Sequence, residues 1–184
     1  MKKSITILGS TGSIGKSCLN IINKKKNYFK PYIFVANKNY SAICRQLNLY
    51  KPKYFIITDK KIFEKVKLKF KKKKSIILSS LEKINTQTIS DITISSIPGI
   101  EGLPFTFAMI KLSKKILIAN KESVICGWNL IKNIAEKNKT KIIPIDSEHF
   151  SLMQLIQNYK EKDIDKIYLT ASGGPFLNFN IKEF

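Results

Sequence analysis

The chain has 184 residues, enough for one domain with a buried core or for one domain and the start of another. It carries 33 basic against 13 acidic residues, a formal net charge of +20, yet Arg45 is its only arginine. Lysines spread this way, without interleaved aromatics, argue against a sequence-reading nucleic-acid module and leave only generic attraction to polyanions.

Residues 5–8 form a short, β-branched apolar run. Lys2 and Lys3 precede it, but the run is too short for a signal peptide. Gly9, Gly12 and Gly15 follow at every third position, and a helical pattern opens directly after them. A strand, a glycine turn and a helix N-terminus together expose main-chain amides at the positive end of a helix dipole. A phosphate can approach there without help from any side chain. The pattern predicts a dinucleotide pyrophosphate site in the first βα unit of a doubly wound sheet, with an empty glycine-rich turn as the plainer alternative.

Ile14, Cys18, Leu19, Ile21 and Ile22 give the first helix an apolar face that ends in the lysines at 24–26. A nearly all-apolar strand is expected over 32–36, as suits a strand covered on both faces. Asn37, Lys38 and Asn39 follow it. Chains that bind NAD place an acid near here, about 20 residues past the glycines, to hold the ribose 2′-hydroxyl. An acid would repel a 2′-phosphate and Lys38 would attract one, so NADP(H) is expected over NAD(H). Lys38 as one more surface lysine is the competing reading.

The pattern next predicts a helix over 41–50 and a strand over 54–58. A lysine-dominated helix over 60–74 would bury Ile62, Phe63, Val66 and Phe70. A strand over 76–78 and a short polar helix or turn over 80–88 come next. A strand over 91–97 ends at Pro98-Gly99, a helix spans 103–112, and a strand spans 116–119. Residues 120–123 lead into a helix running through 137. Strands alternating with helices predict a mainly parallel α/β sheet of the Rossmann-like, doubly wound kind. Ligands in such sheets bind beyond the carboxyl ends of the strands. Three polar clusters fall there, at 9–14, 37–39 and 120–123.

A further strand is expected over 142–145. Asp146, Ser147, Glu148 and His149 stand at its end. Two carboxylates with a hydroxyl and an imidazole beside them can hold a hard divalent cation such as Mg²⁺ or Mn²⁺. The same residues can instead cap the helix expected over 150–159. His149 reads as a packed or capping residue. A strand over 166–170 then leads into Ser172-Gly173-Gly174, a turn suited to an oxyanion or phosphate. Residues 181–184 would begin one more helix. Cys18, Cys44 and Cys126 have no metal or redox spacing, which suits a reducing compartment, and no stretch approaches the ~20 apolar residues of a membrane span. A cytoplasmic protein is expected.

The motifs ILGSTGSIG at 7–15, LIANKES at 117–123, PIDSEH at 144–149 and TASGGPF at 170–176, in this order, resemble the 1-deoxy-D-xylulose 5-phosphate reductoisomerase family over the whole chain. The resemblance implies an NADPH-binding Rossmann-like domain over 1–141 and the start of a second α/β, catalytic domain over 142–184. It implies that Thr11, Gly12, Ser13 and Ile14 cradle the NADPH pyrophosphate. Asn37, Lys38 and Asn39 would hold the 2′-phosphorylated ribose, with Asn120 and Glu122 nearer the nicotinamide half. Lys121 would contact the sugar phosphate substrate and, with Glu148, serve catalysis. Asp146 and Glu148 would ligate Mg²⁺ or Mn²⁺, and Ser147, Glu148 and Ser172 would line the substrate site. Family members convert 1-deoxy-D-xylulose 5-phosphate to 2-C-methyl-D-erythritol 4-phosphate, and a homodimer is the assembly expected of the full-length protein. Asn37 stands where the family commonly has glycine. A third metal carboxylate, the phosphate-binding residues and a helical domain are expected beyond Phe184. A truncated, inactive NADP(H)-binding remnant is the alternative to an enzyme portion, and a lysine-driven polyanion binder is a third, weaker one.

Overall fold

The computed structural model describes residues 1–71, 74–84 and 89–168. Among them, β1 (Lys3–Leu8), β2 (Phe29–Ala36), β3 (Tyr54–Ile57), β4 (Ile76–Leu78), β5 (Ile92–Ser95), β6 (Lys115–Ile118) and β7 (Lys141–Pro144) pair in one parallel sheet. The order is β4-β3-β2-β1-β5-β6-β7. The chain therefore builds outward from β1 in one direction, returns, and builds outward in the other. The helices are α1 (Ser13–Lys24), α2 (Tyr40–Leu49), α3 (Lys60–Lys69), α4 (Gly102–Ile110), α5 (Lys121–Lys137) and α6 (Ser147–Ile156).

The continuous apolar runs of the central strands feed two helix layers at once. Ile5, Ile7, Phe34, Ala36, Phe55 and Ile57 pack with Leu19, Ile43, Leu47, Phe63 and Val66 of α1, α2 and α3. The alternate residues Leu8, Ile33, Val35, Tyr54 and Ile56 pack on the other face with Met109, Ile110 and Ile131 of α4 and α5. Period-2 alternation thus sends every second side chain into a different core, and burial on both faces is what a parallel sheet requires. One irregularity has a plain cause. The β1–β2 register shifts between Ile5 and Thr6, where Ile5 stands opposite Pro31, a residue with no amide to donate.

Several element ends differ from the sequence-based expectation. Helix α3 stops at Lys69 because Phe70 turns down into the core as its C-cap. Strand β5 ends at Ser95, short of the 91–97 span that the sequence predicts. Helix α6 begins at Ser147, so Ser147, Glu148 and His149 belong to its first turn. Residues 166–168 form no strand; the rest of that expected strand, and the segment 181–184, lie outside the described residues. Helix α5 breaks its helical geometry at Gly127, where a Cβ would stand 2.8 Å from Leu103 Cδ1 and 3.3 Å from Phe107 Cζ of α4. The kink accommodates the close packing of α5 on α4, a tertiary demand with no local sequence signal. Two compact units divide after Asp146: Met1–Asp146 and Ser147–Phe184. No helix among the described residues is long and apolar enough to cross a membrane.

Candidate functional site

The strand order reverses at β1, with β2 on one side and β5 on the other, and the crevice opens where it does. A cavity of about 590 Å³ lies there, lined by Gly9, Thr11 and Gly12 after β1 and by Asn37 after β2. Thr58 after β3, Ser96, Ile97 and Pro98 after β5, and Glu101 and Phe105 at and within the start of α4 also line it.

The three glycines of the turn serve three purposes. Gly9 has φ +84°, and a Cβ there would stand 2.8 Å from the Ser96 carbonyl oxygen, so the ends of β1 and β5 can approach only at glycine. Gly15 packs α1 onto the turn: a Cβ would strike the Gly9 carbonyl and the Ser10 backbone. Gly12 is different. A Cβ there would meet nothing closer than the Gly9 carbonyl at 3.4 Å, so the fold does not need its bareness. It lines the cavity and caps α1 without any side-chain hydrogen bond. Two glycines thus serve the packing of the turn, and the third leaves the start of α1 bare toward the cavity.

The turn is held rigidly. The amides of Gly9 and Ser10 both donate to the Val35 carbonyl, at 3.0 and 2.9 Å. The Ser96 amide and hydroxyl both donate to the Leu8 carbonyl, at 3.1 and 2.7 Å. Ser10, fully buried, donates its hydroxyl to Gln46 Oε1 at 2.7 Å and accepts Gln46 Nε2 on its carbonyl at 2.9 Å.

Of the expected pyrophosphate residues, Thr11 and Gly12 line the cavity, and Ser13 and Ile14 are exposed in the first turn of α1. Asn37 also lines it, with the exposed Lys38 and Asn39 immediately after. Asn39 has a structural role as well, since its Oδ1 accepts from the Ala42 amide at 3.1 Å and caps α2. Asn120 is buried and caps α5 by accepting from the Ser123 amide at 2.8 Å. Its Nδ2 donates to the carbonyls of Ile97 and Gly99. Asn120 therefore ties the loop after β5, which forms a cavity wall, to the helix start that carries the exposed Lys121 and Glu122.

Asp146 is half-buried at the end of the first unit, one residue past Ile145, whose amide donates to the Ile118 carbonyl. Glu148 is exposed on α6 of the second unit and accepts the Ser147 hydroxyl on Oε2 at 2.7 Å. Among the described residues no group of three His, Cys, Asp or Glu side chains is placed to hold a metal. Ser172, and the Ser-Gly-Gly turn around it, lie outside the described residues. Ser96, Thr58, Glu101 and Phe105 were absent from the sequence-based expectation. The first two follow strands β5 and β3 directly, so the rule that ligands sit at strand ends would have found them.

The chain is similar to known proteins over nearly its whole length. Family models for 1-deoxy-D-xylulose 5-phosphate reductoisomerase and for its C-terminal domain match residues 5–127 and 142–184. The 1-deoxy-D-xylulose 5-phosphate reductoisomerase of Pelagibacter ubique is 46% identical over 186 residues, covering 99% of this chain and 48% of that protein. That of Clostridium novyi is 40% identical, with 98% and 48% covered. A crystal structure of a DOX-P reductoisomerase in complex with magnesium superposes with TM-score 0.87 at 31% identity, covering all of this chain and 49% of that one. The Zymomonas mobilis enzyme in complex with NADPH superposes with TM-score 0.85 at 26% identity, with the same coverage. The chain thus spans about half the length of the relatives it matches.

Proposed function

The chain belongs to the 1-deoxy-D-xylulose 5-phosphate reductoisomerase family, and from that premise we propose that it forms the NADPH-binding portion and the opening of the catalytic portion of such an enzyme. The reaction would convert 1-deoxy-D-xylulose 5-phosphate to 2-C-methyl-D-erythritol 4-phosphate. The observation that carries this reading is the cavity at the switch point, into which α1 presents a glycine start with no side-chain cap.

The residues present fit the cofactor. Thr11 to Ile14 would cradle the pyrophosphate on the main-chain amides around Gly12, whose own amide donates to the Gly9 carbonyl at 3.1 Å, and a Cβ at position 12 would only obstruct. Asn37 and Lys38 would meet the 2′-phosphate, and Asn39 would hold their loop by capping α2. Asn120 and Glu122 would border the nicotinamide half, Asn120 by fixing the loop after β5 in place. NADPH would supply the hydride.

The donor set at Asp146 and Glu148, two hard carboxylate oxygens, is of the kind Mg²⁺ or Mn²⁺ takes. The cation would supply Lewis-acid polarisation of the substrate's oxygens. Lys121 would neutralise substrate charge, and Ser147, Glu148 and Ser172 would orient the sugar phosphate and serve proton movement at its hydroxyls. Function would divide at about residue 142, although β7 completes the first sheet. The homodimer and the cytoplasmic location belong to the same proposal, the latter supported by free thiols at Cys18, Cys44 and Cys126.

The test is calorimetric titration of the chain with NADPH and NADH. NADPH should bind more tightly, and Lys38→Ala should cut the preference about tenfold, the value of one charge-assisted contact. Tighter binding of NADH would overturn the cofactor assignment. A second reading is an NADP(H)-binding chain without turnover. NADPH oxidation driven by deoxyxylulose phosphate and Mn²⁺ would refute it.

A further inference from the structure

We propose that Gln46 is a positioning residue for the cofactor, setting the spacing between the pyrophosphate turn and the loop that meets the 2′-phosphate. The inference rests on the cofactor reading above. Gln46 is 5% exposed in the middle of α2, a position where a buried amide needs a reason. Both of its polar groups go to one residue: Oε1 accepts the Ser10 hydroxyl and Nε2 donates to the Ser10 carbonyl. Ser10 is buried between Gly9 and Thr11, the two neighbours that line the cavity.

The geometry gives the bond a job beyond stability. Ser10 is gripped by β2 through its amide and by α2 through its hydroxyl and carbonyl. Helix α2 begins directly after Asn37, Lys38 and Asn39, and Gln46 lies seven residues past its cap, about two turns down the helix. One side chain therefore links the turn expected to hold the pyrophosphate to the helix that carries the 2′-phosphate loop. NADPH spans both points and NADH engages only the first by charge. A slack link should cost NADPH more than NADH.

The experiment compares the unaltered chain with Gln46→Met, which keeps an unbranched side chain of similar length and removes both hydrogen bonds. NADPH and NADH are titrated calorimetrically, and thermal melting is recorded without cofactor. Leaving two buried polar groups unpaired should weaken NADPH binding about tenfold and NADH binding about threefold, so the preference narrows. A lower melting temperature with both affinities unchanged, or reduced by one common factor, would reduce Gln46 to a structural staple and overturn the proposal. Should Gln46→Met fail to fold, Ser10→Ala removes one of the two bonds and should narrow the preference about twofold, with an unchanged ratio again overturning it. An unaltered chain that shows no preference for NADPH would sink the cofactor reading itself, and this inference with it.

Discussion

Helix α1 and helices α2, α3 and α5 all follow strands of the same sheet, and their N-termini are finished differently. Asn39, Asp59 and Asn120 each turn a side-chain oxygen back onto the first turn of α2, α3 and α5, accepting from Ala42, Ile62 and Ser123. Helix α1 starts at Gly12 with no such bond. A helix N-terminus leaves several amides without intrahelical partners, and a side chain is the usual remedy. Three helices use it; α1, whose start lines the crevice, does not, and α4, which borders the same crevice at Glu101, has its first amides met by the Gly99 and Ile100 carbonyls instead. On the proposed cofactor reading, the contrast separates amides that the fold satisfies for itself from amides that a pyrophosphate would satisfy.

Substitution within the turn should break that contrast most sharply. Gly15→Val places carbon atoms 2.8 Å or closer to the Ser10 backbone, which has no flexible end to move. Unfolding in urea should show a loss of about 3 kcal/mol or more. Gly12→Ala is the opposite case. Its φ of −74° is open to any residue and its Cβ has room, so stability should change by less than about 1 kcal/mol. On the proposed reading the methyl group would stand where the phosphate approaches, and NADPH affinity should fall at least about tenfold. Equal losses of stability at positions 12 and 15 would show that both glycines serve only the fold.

Much of this was legible in the sequence. Glycines every third residue between a β-branched run and an amphipathic helix specify a strand–turn–helix unit through local chemistry alone. The apolar run at 32–36 predicted a strand buried on two faces, and Phe34 and Val35 indeed enter different cores. What was not legible depends on residues far apart in the chain. The kink at Gly127 answers to Leu103 and Phe107. The burial of Gln46 answers to Ser10, 36 positions away. The use of Asn120 as a tie to Ile97 and Gly99 is likewise invisible locally, although an asparagine before a helix does announce a cap. Local rules find the elements and their ends. Pairings that set the site's rigidity require the sheet order first.

A capped helix allows the comparison to be calibrated. Asp59→Ala removes the 2.9 Å bond to the Ile62 amide and should cost about 1 kcal/mol in urea unfolding. Cofactor affinity should not move, because that amide is satisfied within the helix start itself. A loss of NADPH binding with no loss of stability would mean that the caps, too, serve the ligand.

An effect no larger, and dependent on pH and salt, comes from the opposite, amino-terminal end of the sheet, where a charge is answered by the fold. Asp91 accepts Lys114 Nζ at 2.7 Å on one oxygen, and the Ser4 amide and hydroxyl at 2.8 and 2.9 Å on the other. The Lys114 hydrogen bond first, then the Ser4 amide, hold its carboxyl down at about 2. The folded chain therefore binds fewer protons here than the unfolded chain, whose carboxyl titrates near 3.9. The stabilisation is fully present above the ordinary carboxylate range and is lost as pH falls from about 4 to about 2. Because the Lys114 side chain is 67% exposed, water and salt screen the pair, and the contribution is about 1 kcal/mol rather than the larger value the shift alone implies. Asp91→Asn should lose about that much at neutral pH. The difference from the unaltered chain should close on acidification toward pH about 2, and part of it should close with added salt. Stability curves that stay parallel throughout that range would show that the charge on Asp91 contributes nothing and that only the shape of its hydrogen bonds matters.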